Sequence, residues 1–309
     1  MSDIVRFAGV SKRYGREVAL DDVSFAVPSG SVTALLGENG AGKTTALRIA
    51  LGLARPDSGA ATTLGMPAET PEARRRIGYV PDAPELFEWM TVAETGWFAA
   101  GFYPPGFEVR FKKRIDAFEL APSRKVSGLT KGMRARLGLA LALAQDPDLL
   151  LLDEPTSGLD PAARRMFLEV VADAAADGKT VLLASHALHE VERIADRIII
   201  LRRGRVALDA ELELLKAGAV EAVVRFEDRP ATGAPIPIPP GTLLDRIDHE
   251  RESRLLLTGA PPDIERILEY AAGVADVQVR TLNLEEVFLS LSRAQHVQSP
   301  ALVATRAVS

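Results

Sequence analysis

The feature that most constrains this chain is a run of eight residues between a strand-like segment and a helix-like one. The run reads Gly37-Glu38-Asn39-Gly40-Ala41-Gly42-Lys43-Thr44 and is followed by Thr45. Its glycines let consecutive backbone N–H groups converge on phosphate oxygens, and the following helix adds its positive end. The Lys43 ammonium can reach the β and γ phosphates, and the Thr44 hydroxyl can ligate magnesium. Residues 37–45 are therefore predicted to bind a nucleoside triphosphate with Mg²⁺.

The sequence on either side supplies the context that such a loop needs. Val32–Leu36 is mostly apolar and follows the turn-forming residues Pro28-Ser29-Gly30, which predicts a strand running into the loop. Residues 43–53 carry apolar side chains at helical spacing, and residues 56–59 end that pattern. Strand, glycine loop and helix therefore follow one another in order.

Bulk properties limit the proteins to which this loop could belong. The 309 residues are enough for one full core and a smaller second unit. A net charge of -5 gives no basic footprint, so no nucleic-acid partner is expected, and the absence of cysteine excludes disulfides and thiolate chemistry. No apolar run approaches the roughly 20 residues needed to span a bilayer, and the N-terminus does not resemble a secretory signal. We expect a cytosolic chain that does not itself cross a membrane.

Helical and strand-like patterns alternate along the middle of the chain. Helices are predicted over residues 107–120, 133–144, 161–176 and 187–196, and strands over residues 149–153, 180–184 and 198–201. Strands that alternate with helices favour an α/β fold with a parallel sheet covered on both faces.

The pattern changes after about residue 218. Residues 229–241 hold five of the chain's 20 prolines and are predicted to be a linker. A small unit is predicted around it, with strands at 222–226, 254–258 and 277–281 and helices at 264–271 and 284–291. The predicted domains are therefore residues 1–218, an α+β region at 219–293 and a flexible tail at 294–309.

Two carboxylates follow the buried run Leu149–Leu152. Asp153 and Glu154 should lie at the carboxyl end of a strand, where ligands bind in open α/β sheets. Asp153 is predicted to hold magnesium, and Glu154 to orient or deprotonate an attacking water.

These segments, with those between and after them, resemble the nucleotide-binding subunit of an ATP-binding cassette (ABC) transporter. The family's signature, usually Leu-Ser-Gly-Gly-Gln, corresponds to a stretch beginning at Leu129. Its matching positions here, expected to act on the nucleotide of a second subunit, are Thr130, Lys131, Gly132 and Met133. Thr130 stands 23 positions before Asp153. It is also an ordinary helix cap, so its position relative to Asp153 carries the argument.

Three further segments extend the resemblance. The family's D-loop corresponds to Ser157, Gly158, Leu159 and Asp160. His186 matches the switch histidine that contacts the γ phosphate, and joins Glu154 and Lys43 in the expected catalytic set. Tyr14 matches the aromatic residue on which adenine stacks, although a surface aromatic beside a strand is nearly as good an interpretation.

Residue 82 departs from the family pattern. The segment Ile77–Pro81 would normally be followed by a glutamine that touches magnesium and the attacking water, but Asp82 stands there. An aspartate can also ligate the ion, so Asp82 joins Thr44 and Asp153 in the expected magnesium set. Its negative charge is expected to alter magnesium affinity and turnover.

The resemblance covers residues 3 to about 216 and implies a fold. That fold is an α/β P-loop NTPase core of the RecA-like type, with an antiparallel β subdomain, a helical subdomain and a small α+β C-terminal extension. The extension, with Leu284–Leu289 near its end, resembles the accessory region of cassettes that drive exporters of drugs, antibiotics or lipids.

The resemblance also implies a function. The chain would bind and hydrolyse ATP with Mg²⁺, dimerise through a second cassette, most simply a second copy, and power export from the cytoplasmic face of a membrane. Separate membrane subunits would dock near residues 82–103. Most of the large apolar residues there are expected to form the subdomain's own core, while a few, such as Phe87 and Trp89, face the partner. These residues are Leu86, Phe87, Trp89, Met90, Trp97, Phe98, Phe102 and Tyr103.

Two other classes of protein remain as alternatives. A cassette protein acting on DNA or the ribosome would usually carry two cassettes, a long coiled-coil insertion or basic tracts. A P-loop kinase would need an acceptor site and a lid, and it would leave the segments at 130–133 and 157–160 without a role. The transported cargo cannot be read from this chain.

Overall fold

The computed structural model describes residues 3–227, 236–239 and 242–293. The strands are β1 (Asp3–Tyr14), β2 (Glu17–Pro28), β3 (Val32–Leu36), β4 (Ser58–Thr63), β5 (Met66–Pro67), β6 (Ile77–Val80), β7 (Leu149–Asp153), β8 (Thr180–Ser185), β9 (Arg197–Arg202), β10 (Arg205–Glu211), β11 (Val220–Phe226), β12 (Leu243–His249), β13 (Glu252–Leu257) and β14 (Val274–Thr281). The helices are α1 (Lys43–Ala50), α2 (Pro71–Arg74), α3 (Val92–Ala100), α4 (Phe107–Ala117), α5 (Lys131–Ala144), α6 (Pro161–Ala176), α7 (Leu188–Val191), α8 (Leu212–Gly218), α9 (Ile264–Glu269) and α10 (Leu284–Arg293).

The chain forms two compact units. The first holds the chain up to Asp196 together with Arg203–Arg205, and the second holds Arg197–Arg202 and the chain from Val206 onward. This division is geometric, and the sequence-based boundary at residue 218 stays a prediction.

A parallel sheet forms the centre of the first unit. Within this unit its strands follow the order β3-β8-β7-β6, with Leu36 opposite Ser185, Asp153 opposite Ala184, and Val80 opposite Leu152. Every residue of β3, β7 and β8 is buried, as expected for parallel strands covered on both faces. The carboxyl ends of all four strands therefore meet at one edge, and this confirms the predicted α/β class.

A second sheet in the same unit is antiparallel, with the order β2-β1-β4-β5. Phe7 of β1 stacks on Phe25 of β2, with ring centroids 4.5 Å apart. This sheet is the antiparallel β subdomain that the family resemblance implies.

Helices α3, α4 and α5 pack together as a helical subdomain. Helix α4 buries Phe107, Phe111 and Ile115, which recur every four residues along one face. Gly96 of α3 is required for this packing because a Cβ there would lie 2.1 Å from Phe111 Cε1. Thr91 and Glu94 form a reciprocal capping box that fixes the start of α3.

The second unit contains an antiparallel sheet with the order β12-β13-β11-β14. Its core includes Ala222 and Val224 of β11, Leu255 and Leu257 of β13, and Leu268 of α9. The unit is thus an α+β arrangement, as expected for the extension. The linker predicted at 229–241 falls largely outside the described residues, and the tail at 294–309 falls outside them entirely.

Several predicted bounds were wrong. The helix expected at 187–196 is only α7, because Asp196 binds both backbone groups of Val32. Its carboxylate accepts from the Val32 N–H at 2.8 Å, and its own N–H donates to the Val32 carbonyl at 2.8 Å. The helices predicted at 43–53 and 107–120 end earlier, at Ala50 and Ala117. Strands β4, β5, β6, β10 and β12 and helices α2, α3 and α8 had no sequence prediction.

Candidate nucleotide-binding site

The predicted phosphate loop joins β3 to α1. Gly40 and Gly42 adopt left-handed φ values of 80° and 106°. A Cβ on Gly42 would lie 2.4 Å from the Ala19 carbonyl oxygen, so only glycine fits where α1 begins. The first turn of α1 carries no acidic side chain. The helix therefore places no acidic residue of its own at its positive end, which suits a phosphate.

The Lys43 side chain folds back over the loop and is buried. Its ammonium donates to the Gly37 carbonyl oxygen at 2.7 Å and lies 3.1 Å from Glu154 Oε1. Glu154 Oε1 makes no aligned hydrogen bond, so the contact with Lys43 is a close charge pair. The cation that the sequence assigns to the β and γ phosphates thus already has one anion beside it.

Thr44 and Asp153 form the predicted magnesium corner. The Thr44 hydroxyl donates to Asp153 Oδ1 at 3.1 Å. Burial raises the pKa of the Asp153 carboxyl above its ordinary value, and the charges of Glu154 and Asp82 act in the same direction, while the Thr44 hydrogen bond and the Lys43 charge oppose them. A cation at this corner would offset the accumulated negative charge.

The donor set fits magnesium better than a metal held by protein alone. Among the described residues, no group of three histidine, cysteine or acidic side chains could hold a metal ion. Mg²⁺ commonly takes one or two protein ligands and completes its octahedron with phosphates and water. Thr44 and Asp153 supply such a pair, whereas Asp82 is exposed and its role as a ligand stays a prediction.

Glu154 stands at the centre of the site in an unusual backbone conformation. Its φ is 47°, a left-handed value that non-glycine residues rarely adopt, and its N–H donates to the Ala184 carbonyl at 2.9 Å. Its Oε2 lies 2.7 Å from His186 Nδ1. The fold therefore brings Lys43, Glu154 and His186 together at the sheet edge, and the strained turn holds the carboxylate between the other two.

The predicted signature and D-loop contact each other. Thr130 caps α5 by accepting from the Met133 N–H at 3.3 Å, and Gly132 is so close to α6 that a Cβ would lie 3.3 Å from that of Ala163. Gly158 has a φ of 66°, and a Cβ there would lie 2.9 Å from Lys131 Nζ. The predicted signature and the predicted D-loop are distant in sequence but are thus packed together.

Tyr14 ends β1 and is 47% exposed. The Lys12 ammonium lies 5.5 Å from its ring centroid, and the same ammonium donates to Asp57 at 2.8 Å. The ring is accessible for stacking, but nothing in the contacts distinguishes the adenine role from a surface aromatic.

The expectation about the aromatic region of the helical subdomain was wrong. Most of its large apolar residues are exposed rather than core, and only Met90 is buried. The exposed members are Phe87, Trp89, Trp97, Phe98, Phe102 and Tyr103. Helix α3 buries Thr95 and Gly96 on the face that meets α4, whereas its Trp97 and Phe98 are exposed.

Four of these rings form a connected surface. Phe87 lies 5.8 Å from Trp89 and 5.5 Å from Phe98, and Phe98 lies 5.4 Å from Phe102, measured between ring centroids. We call Phe87, Trp89, Phe98 and Phe102 the aromatic surface. Exposed apolar patches of this kind are common at interaction sites.

Sequence patterns missed two ion pairs that connect these segments. Arg164 of α6 lies 2.9 Å from Glu190, a buried carboxylate four residues after His186. Arg134 of α5 pairs with Glu88, which lies within the aromatic region. Isolated charges on helix faces usually indicate a solvated surface, so the sequence alone does not show that these residues form ion pairs.

Comparison with known proteins decides the family. A family model described as "ABC transporter" matches residues 20–157. The Nod factor export ATP-binding protein I of Mesorhizobium japonicum is 35% identical over 304 residues, covering 93% of this chain and 86% of that protein. The protein of the same name from Sinorhizobium fredii is 36% identical over 302 residues, covering 94% and 87%. The chain belongs to the ABC transporter family.

Solved ABC structures agree with this assignment. An ATP-binding subunit of an ABC transporter has 33% identity and a TM-score of 0.63, covering 69% of this chain and 92% of that one. A dimeric ATP-binding cassette bound to ADP and Pi has 26% identity and a TM-score of 0.62, covering 67% and 98%. This ABC chain is thus an ATP-binding, ATP-hydrolysing subunit. Within its described residues, no helix has the length and apolarity to cross a membrane.

Proposed function

We propose that this ABC subunit hydrolyses Mg²⁺-ATP at Glu154 to power export through separate membrane subunits. The observation that carries the proposal is the arrangement of Glu154 between Lys43 and His186, beside the hydrogen-bonded pair of Thr44 and Asp153. A phosphate-binding cation, a magnesium corner and a carboxylate able to activate water lie together at one sheet edge. A passive nucleotide-binding module would not need the last of these.

Each residue then has one task. Backbone amides of the loop from Gly37 to Gly42 and the Lys43 ammonium hold the phosphates. Thr44 and Asp153 would hold the magnesium ion, which supplies charge neutralisation at the β and γ phosphates. Glu154 orients or deprotonates the attacking water, and His186 contacts the γ phosphate while its imidazole positions the Glu154 carboxylate.

A second copy of the chain would complete the site. The signature at 130–133 packs against its own chain's D-loop, and Lys131 of that signature is exposed. Its exposed side can thus close over the nucleotide of a partner chain. Because one chain carries all the segments, a homodimer is sufficient, and it would have two equivalent sites.

The membrane subunits would dock on the aromatic surface, within residues 82–103. Large rings at the centre of an interface contribute most to affinity, and four contacting exposed rings form such a centre. The chain would then act at the cytoplasmic face of a membrane, and the proposal assigns it no nucleic-acid partner. The direction of transport is taken from the names of the relatives, which are export ATP-binding proteins.

Mixing two inactive variants tests the shared site. Lys43→Ala removes the phosphate cation, and Lys131→Glu places an anion on the surface proposed to face the partner's triphosphate. Each homodimer should have little ATPase activity, because both of its sites contain an altered phosphate loop or an altered signature. Half of randomly mixed dimers contain one chain of each kind and one intact site, so the mixture should regain about a quarter of the normal activity.

The control for this experiment is Lys113→Glu, the same charge reversal at an exposed position of α4. This variant should keep normal activity alone, because α4 carries none of the residues assigned to the site. Mixtures that stay as inactive as their components would refute a site shared between two chains.

A further inference from the structure

The first turn of helix α5 carries the signature. The same helix also packs against the segment from Asp82 to Trp89. Arg134 makes a two-pronged pair with Glu88, with Nη1–Oε1 at 2.5 Å and Nη2–Oε2 at 2.9 Å. One turn later, Gly138 lies so close to this segment that a Cβ would be 3.2 Å from Pro84 Cγ. Both contacts use one face of α5, since residues four apart lie above one another.

Backbone hydrogen bonds join the same segment to the residues just before the signature. The Ser127 N–H donates to the Glu88 carbonyl at 3.1 Å, and the Val126 N–H donates to the Met90 carbonyl at 2.8 Å. Thr91 forms an isolated antiparallel bridge with Lys125. Residues 125–127, just before the signature, therefore lie beside residues 88–91 and are hydrogen-bonded to them.

The segment connects two places that the proposed function uses. At one end, Asp82 follows the carboxyl end of β6, which pairs with β7, the strand that ends at Asp153 in the magnesium corner. At the other end, Phe87 and Trp89 belong to the aromatic surface and flank Glu88 in sequence. A shift of α5 therefore pulls on a segment that ends in the aromatic surface.

We propose that the pair of Glu88 and Arg134 is a positioning pair that couples the signature to the aromatic surface. The inference rests on the proposed function, because it requires a signature that engages a second chain's nucleotide. When that engagement moves α5, the rigid planar guanidinium carries Glu88, and with it Phe87 and Trp89, to a new position. Arg134 is in the first turn of α5, and its N–H donates to the Thr130 carbonyl at 3.0 Å.

Geometry rather than stability gives the pair this role. The Glu88 side chain is 57% exposed, and an exposed ion pair contributes little to folding. Two parallel charge-assisted hydrogen bonds nevertheless fix the orientation of the carboxylate relative to the guanidinium. Removing the pair should therefore leave the chain folded and uncouple the signature from the aromatic surface.

Coupling is reciprocal, so ATP binding should alter the aromatic surface even when no membrane subunit is present. The chain offers a direct reporter because it contains two tryptophans, Trp89 on the aromatic surface and Trp97 on α3. Trp97→Phe leaves Trp89 as the sole tryptophan. Glu154→Gln, added to this variant, should hold the ATP-bound dimer without turnover.

The experiment measures acrylamide quenching of Trp89 with and without Mg²⁺-ATP, beside size-exclusion chromatography of each variant. We expect a change in the quenching constant when ATP forms the dimer. Glu88→Gln should abolish this change while leaving the dimer intact, and Arg134→Met should do the same. Exchanging the two charges, with Glu88→Arg and Arg134→Glu in one chain, should restore part of the response.

Two controls separate this role from a general effect of losing an ion pair. Arg165→Met removes the exposed pair of Arg165 and Glu169 on α6, which lies 2.9 Å apart, and should leave the Trp89 response unchanged. Trp89→Phe leaves Trp97 as the reporter, and Glu88→Gln should not alter its signal.

A Trp89 response that persists in Glu88→Gln would overturn the coupling, as would a dimer that forms without any Trp89 response. These outcomes leave the proposed function standing, because the dimer itself is observed. Failure of ATP to form a dimer in the Glu154→Gln parent would contradict both proposals.

Discussion

The Glu154 carboxylate lies 3.1 Å from the Lys43 ammonium in this ABC subunit. Lys43 is the cation expected to meet the γ phosphate, and Glu154 is the carboxylate proposed to act on the attacking water. The phosphate and this carboxylate would therefore share one cation. The His186 contact at 2.7 Å gives the carboxylate a second partner.

Glu154→Gln is expected to retain ATP and trap a stable dimer. The amide cannot accept a proton from water, so turnover should fall by roughly 100-fold or more. It also removes the anion that competes for Lys43, so ATP should bind at least as tightly as in the unmodified chain. Steady-state phosphate release and gel filtration with ATP would test both effects. Unchanged turnover in this variant would exclude Glu154 as the general base.

Lys43→Ala is expected to weaken ATP binding by roughly 10- to 100-fold, since a charge-assisted contact to a partly buried anion is lost. The variant also leaves Glu154 without its cation in the free chain. Titration with a fluorescent ATP analogue would measure the change. Lys112→Ala, an exposed change on α4, should bind the analogue normally, and equal affinities for the two variants would contradict the assignment.

The sequence predicted the elements of the central sheet because each piece is encoded locally. A strand, a glycine loop and a helix can be read from neighbouring residues, and Asp153 and Glu154 stand at the end of β7. The strand edges then bring these pieces together through sheet register alone. No local pattern could show that Lys43 is already paired with Glu154, since 111 positions separate the two residues.

Exposure was the harder property to predict. The aromatic residues around α3 looked like core because large rings usually are, but whether they are buried depends on how many helices are present to cover them. The pair of Glu88 and Arg134 was missed for the same reason, because each residue alone looks like surface charge. Strand β4 consists of small and polar residues, and four of the seven residues of β12 are charged or histidine, so their own residues gave little signal.

Asp82→Ala is expected to raise the magnesium concentration needed for half-maximal ATPase activity, by roughly tenfold if one charged ligand is lost. The same substitution should leave ATP binding in the presence of a chelator nearly unchanged, because the phosphate loop is intact. Asp82→Asn keeps an oxygen donor, so its magnesium requirement should lie between those of the unmodified chain and the alanine variant. An unchanged magnesium requirement in the alanine variant would contradict the predicted role of Asp82 as a magnesium ligand.

Gly96→Ala should destabilise the helical subdomain, because the new Cβ would lie 2.1 Å from Phe111 Cε1. Overpacking of this kind costs about 1–3 kcal/mol in the free energy of unfolding. The matched control is Gly101→Ala, which ends the same helix with a φ of -62° and whose Cβ would have its nearest neighbour at 3.4 Å. That change should alter stability by less than about 1 kcal/mol. Combining Gly96→Ala with Phe111→Leu should recover part of the loss, since the smaller side chain yields space to the methyl group. Denaturant unfolding of the unmodified chain, Gly96→Ala, Phe111→Leu, the double variant and Gly101→Ala would measure these differences. Strictly additive losses in the double variant would rule out a direct clash between residues 96 and 111.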